Sequence, residues 1–113
     1  MCDHSGDVVG RISGWPKIVP LDTDRKPDPK VLEAARYIDA MNFAARTKAD
    51  ALVSVGFIDG TCPPTSIYAT YNNLPGRKEM VIGVPFGHVE WPASRERADH
   101  FVNEHIARIQ ATK

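Results

Sequence analysis

Apolar positions in this chain change their spacing several times, and each change marks an element. From Val31 they recur at helical spacing through Ala34, Ala35, Ile38, Met41 and Ala45. Asp28-Pro29, just ahead, reads as an N-cap followed by proline at the first helical position. The spacing predicts a helix from Pro29 to about Thr47, with Asp39 as the point where it could kink. The pattern then becomes continuous. Six of the eight residues from Ala51 to Ile58 (ALVSVGFI) are apolar, without alternation, which suits a parallel strand buried on both faces. The run stops at Asp59, and Gly60 and Pro63-Pro64 follow. That proline pair predicts a second helix with Ile67, Tyr68, Tyr71 and Leu74 as its packed stripe, ended by Pro75-Gly76. Lys78 to Phe86, with the apolar run MVIGVPF from Met80, reads as a second strand that leaves through Gly87-His88. Beyond a Trp91-Pro92 loop, Ser94 is expected to cap a final helix. Its apolar face would be Ala98, Phe101, Val102, His105, Ile106 and Ile109, with His105 a packing histidine and His100 on the solvated side. Residues 1–28, rich in Gly, Asp and Pro, predict an irregular connection, solvated from Lys17 to Lys30.

The order helix, strand, helix, strand, helix predicts an α/β fold with two or three parallel strands and flanking helices. Ligands and reactive groups of open α/β sheets gather at the carboxyl ends of the strands. Both predicted strands deliver an ionisable side chain there, Asp59 and then His88, and a helical crossover places the two ends on one side of the sheet. Asp59 by itself could equally start a turn. As a pair, acid before base follows the chain order of the α/β-hydrolase triad, Ser, then Asp or Glu, then His. The carboxylate there fixes the imidazole tautomer and stabilises the imidazolium formed during acyl transfer.

Several longer segments occur in a telling order: YIDAMNFA (Tyr37 to Ala44), SVGFID (Ser54 to Asp59), CPPTSIYATYNNL (Cys62 to Leu74), then Gly87-His88. From about Tyr37 to His88 the chain resembles the C-terminal part of the acetyl xylan esterase and cephalosporin C deacetylase family, which are α/β-hydrolase carbohydrate esterases. The resemblance implies that Asp59, closing the SxGxxD strand, is the triad acid and that His88 is the triad base. It implies acetylated carbohydrates or similar small acetyl esters as substrates, no cofactor or metal, and frequent homo-oligomers. It also places Cys62 in a structural loop, and makes Cys2-Asp3 the tip of a strand following the nucleophile helix. The family usually follows this histidine with glutamate, whereas here Val89 intervenes before Glu90; the departure bears on neighbouring contacts rather than on the histidine itself.

Composition narrows the alternatives. The 113 residues suffice for one modest domain, and 42% hydrophobic with 25% charged residues is ordinary for a globular protein. Fourteen basic and fourteen acidic side chains cancel, so there is no electrostatic case for a nucleic acid or an anionic membrane. No apolar run approaches the roughly 20 residues of a membrane span, and the N-terminus lacks signal-peptide regions. Two cysteines are too few for a disulfide framework, which makes the cytoplasm the default location if Met1 is the true start. No G-x-S-x-G nucleophile elbow occurs, Gly10-Arg11-Ile12-Ser13-Gly14 having the wrong spacing. The chain therefore reads as the last third of an esterase, carrying acid and base while serine and oxyanion donors lie upstream. Cys62 could in principle replace the serine, since a histidine-activated thiolate is a strong nucleophile. Asp3-His4-Ser5 cannot act as a miniature triad, because adjacent side chains diverge, and Cys2 with His4 falls short of the four ligands of a structural zinc site. Asp39 and Asn42 are explained by a cap or a polar helix face, and Tyr68 and Tyr71 by packing rather than sugar stacking. The alternatives are a dienelactone hydrolase or peptidase of the same fold, and a non-catalytic interaction module. As a fragment, the chain is expected to self-associate through its uncovered strand edge, whereas a monodisperse monomer would favour the module.

Overall fold

The computed structural model describes residues 3–112, which contain four α-helices and two strands. These are α1 (Pro29–Ile38), α2 (Ala40–Ala44), β1 (Ala51–Gly56), α3 (Pro64–Asn73), β2 (Lys78–Gly83) and α4 (Pro92–Ala111), preceded by a 3₁₀ turn at Gly6–Val9. Three of the four α-helix starts owe their position to local chemistry legible in the sequence. Asp28 caps α1 by accepting from the Lys30 and Val31 N–H groups, and proline occupies the first turn of α1, α3 and α4. The kink anticipated at Asp39 is a full break: Asp39 is extended and caps α2 by accepting from Met41 N–H at 3.0 Å. Asn42 bridges the break by donating from its amide to the Arg36 carbonyl at 2.8 Å. Ser94 is not the N-cap expected of it. Trp91 holds that position, and Ser94, one turn in, accepts from Trp91 N–H and donates to Trp91 C=O.

β1 and β2 pair in parallel, from Ala51 with Lys78 to Gly56 with Gly83, and they form a two-stranded sheet among the described residues. Each strand is shorter than its apolar run, because the chain turns after Gly56 and Gly83 while Phe57, Ile58 and Val84 continue outside the ladder. α3 lies on the face that bears Lys78, whose ammonium donates to the Tyr71 and Leu74 carbonyls at 2.9 and 2.8 Å. α4 lies on the opposite face, where Arg97 forks onto Glu79.

Burial is thinner than a parallel strand's composition implies. Val55 is 1% exposed, but Ile58 is 70% and Ile82 51% exposed, because one helix per face covers only part of the sheet. The apolar face of α4 differs likewise: Phe101 is buried, while Val102, Ile106 and Ile109 stand in solvent. His105 is an exposed partner of Asp50 (3.3 Å) rather than a packing residue. The result is a slab of 56 × 33 × 16 Å with a radius of gyration of 16.4 Å, against about 13 Å for a compact chain of this length.

The N-terminal connection is irregular, as anticipated, yet firmly tied down. The buried Asp39 carboxylate accepts from Asp3 N–H at 2.9 Å and His4 N–H at 2.7 Å, while Asp3's own carboxylate takes the Arg11 guanidinium in a bidentate pair. The Asp3 carboxylate is thus committed to Arg11 and no Asp3-His4-Ser5 triad forms. Trp15 N–H donates to the Thr61 carbonyl and the Thr65 hydroxyl to the Ile12 carbonyl, which docks this segment against the loop after β1. Cys2, with its expected strand tip and its metal role, lies outside the described residues.

Candidate active site

Two glycines bring the strand exits together. A Cβ on Gly56 would lie 2.4 Å from the Phe86 carbonyl oxygen and 2.6 Å from that of Gly87, so only glycine lets the chain after β2 cross directly over the end of β1. A Cβ on Gly83 would strike the Trp91 and Phe86 rings, which stack with centroids 5.0 Å apart and back this crossing. Ile58 N–H donates to the Phe86 carbonyl at 3.2 Å and locks the two exits side by side. His88 and Asp59 are delivered to the same sheet edge by this packing.

Asp59 divides its two oxygens between two tasks. Oδ1 accepts from the backbone N–H groups of Thr61 and Cys62, both at 2.8 Å, which makes the turn. Oδ2 meets His88 Nδ1 at 2.9 Å. Burial pushes the Asp59 carboxyl up, but hydrogen bonds from Cys62 N–H, His88 and Thr61 N–H outweigh it and hold the group below the usual carboxylate range. An ionised carboxylate can only accept, so Nδ1 donates to it, and in the neutral imidazole Nε2 keeps its lone pair. The His88 side chain is 60% exposed, so that nitrogen is open to a reaction partner.

The pair borders a cavity of about 510 Å³, also lined by Leu52, Ser54 and Trp91. Cys62 lines it too, and one ligand atom from each of Asp59, Cys62 and His88 falls within 4.8 Å of the others. Sequence patterning picked out Asp59 and His88 as the pair, and offered Cys62 only as a thiol that a histidine could activate. The signal lay in the turn, since a carboxylate that accepts from the N–H three residues on curls that residue back over itself. Glu90, the displaced counterpart of the family glutamate, turns away from the histidine to pair with Arg95.

Residues 17–105 match the family described as Acetyl xylan esterase (AXE1). The chain belongs to the acetyl xylan esterase family. It is 29% identical over 82 residues to the acetyl esterase Axe7A of Xylanibacter ruminicola, a match that spans 73% of this chain and 18% of that protein. Acetyl xylan esterase 1 from Thermoanaerobacterium sp. JW/SL YS485 superposes with a TM-score of 0.64 at 35% identity, over 66% of this chain and 24% of that one. The acetyl xylan esterase from Paenibacillus sp. R4 superposes with a TM-score of 0.73 at 29% identity, over 91% of this chain and 34% of that one. The fold of this acetyl xylan esterase family member is accordingly part of an α/β-hydrolase, as its strand order anticipated. Among the described residues no helix is long and apolar enough to cross a membrane.

Proposed function

We propose that this chain supplies the acid and the base of a serine-dependent hydrolase that removes acetyl groups from carbohydrates or similar small esters. The observation that carries this is the 2.9 Å contact between Asp59 Oδ2 and His88 Nδ1 at the carboxyl edge of two parallel strands. The names of the matched relatives support the acetyl-ester substrate class.

In this mechanism a serine from outside these residues attacks the acetyl carbonyl carbon while His88 Nε2 takes its proton. Asp59 holds Nδ1–H and stabilises the imidazolium. His88 then returns the proton to the departing sugar oxygen, leaving an acetyl-serine. Water attacks that ester with the same base, releasing acetate and restoring the serine. The five serines of this chain occupy no G-x-S-x-G elbow, so the nucleophile and the oxyanion donors belong to the portion of the protein beyond them. Purified alone, the 113-residue chain should hydrolyse p-nitrophenyl acetate no faster than its His88→Ala variant. Turnover that depends on His88 and is lost in Cys62→Ser would instead make the thiol the nucleophile.

Self-association is part of the same proposal. Ile58, Ile82, Val84, Val102, Ile106 and Ile109 leave apolar surface on both faces of the slab, the condition under which copies of a chain adhere.

A further inference from the structure

We infer that Asp59, Cys62 and His88 form a binding site for one zinc-class divalent cation. The three residues offer the carboxylate, thiolate and imidazole donors that such cations prefer, and one ligand atom of each already lies within 4.8 Å of the other two. Tetrahedral zinc with bonds of about 2.0–2.3 Å places its ligand atoms about 3.3–3.6 Å apart, so side-chain rotations of roughly an ångström close the set. Two features of the fold favour it. Asp59 Oδ1 is fixed by the Thr61 and Cys62 N–H groups, which aims Oδ2 inward as the hydrogen bonds behind a metal-bound carboxylate do. All three residues also line one cavity of about 510 Å³, which has room for a solvent molecule as fourth ligand.

On binding, the Cys62 thiol gives up its proton to solvent, the His88 Nδ1 proton is lost to solvent while Nε2 takes one up, and metal bonds replace the hydrogen bond between Asp59 Oδ2 and His88 Nδ1. The site stands independently of the esterase proposal, since it needs only the donors. If both hold, the cation is a reversible inhibitor, because it occupies the carboxylate and imidazole that acyl transfer requires.

The test is titration of the metal-free chain with Co²⁺ and then Zn²⁺. A single equivalent of Co²⁺ should raise a sulfur-to-cobalt charge-transfer band together with visible bands of tetrahedral intensity, and Zn²⁺ should abolish both. The charge-transfer band should vanish in Cys62→Ser and persist in Cys2→Ser. His88→Gln and Asp59→Asn should weaken binding by at least the roughly 10–100-fold that loss of an outer-shell partner costs. Circular dichroism checks the fold of each variant. Should Cys62→Ser not fold, His88→Gln decides, since that side chain is largely exposed. Absence of a sulfur band, its loss in Cys2→Ser instead, or binding unchanged in both His88→Gln and Asp59→Asn would overturn the site.

Discussion

Asp59 is both the turn-former and the histidine's partner, and its two oxygens make the two roles compatible. The division predicts unequal costs. Asp59→Ala strands the N–H groups of Thr61 and Cys62 and should destabilise the chain by about 1–3 kcal/mol. His88→Ala removes a largely exposed ring and should stay within about 0.5 kcal/mol. Urea melts of the two variants measure the difference; equal losses would contradict it. The pH dependence has a definite sign. Because the folded Asp59 carboxyl lies below its usual range, its contribution is complete above the unfolded value of about 3.9 and is lost as pH falls through the folded one. Melts of wild type and Asp59→Asn should therefore converge in acid; a gap that widens as pH falls would contradict the assignment. Asp59 and His88 were legible in the sequence because each ends an apolar run. Cys62 was legible only as a thiol that a histidine could activate, because its approach to the pair depends on a turn geometry that spacing does not encode.

Between elements, the decisive contact is the crossing of the chain after β2 over the end of β1. Gly56→Ala would force a methyl group against two backbone carbonyl oxygens, which cannot yield as a flexible side chain can. It should cost about 1–3 kcal/mol or more and part Asp59 from His88. The imidazole nitrogen shifts of His88 read that separation directly, and unchanged shifts would show that the crossing does not set the pair. Helices were more legible than their surroundings. Periodicity fixed α3 and α4 to within a few residues, ran α1 and α2 together into one helix kinked at Asp39, and assigned His105 to a packed face that solvent occupies. A sequence period identifies which side chains share a face, not what covers it. Along α4 the cover is ionic: Arg97 with Glu79 and Glu104, and Arg108 and His105 with Asp50.

At the scale of the whole molecule, a slab 16 Å thin leaves both strands half covered, although their apolar runs suit strands covered on both faces. The parallel order and the common edge for Asp59 and His88 followed from the sequence. The uncovered edge and exposed apolar surface were also expected, because two helices and one connecting segment are too few to cover strands apolar on both faces. Light scattering of the purified chain should accordingly show concentration-dependent association, and a monodisperse monomer with a sharp two-state melt would contradict it. The central claim is that Asp59 and His88 are the acid and base of acetyl-ester hydrolysis. Acetate release by the chain extended upstream through a serine elbow, with and without His88→Ala, tests it most directly. The expected result is a fall of roughly 10²–10⁴-fold in the variant with its fold intact; equal rates in the two proteins, or an upstream extension without any elbow, would contradict it.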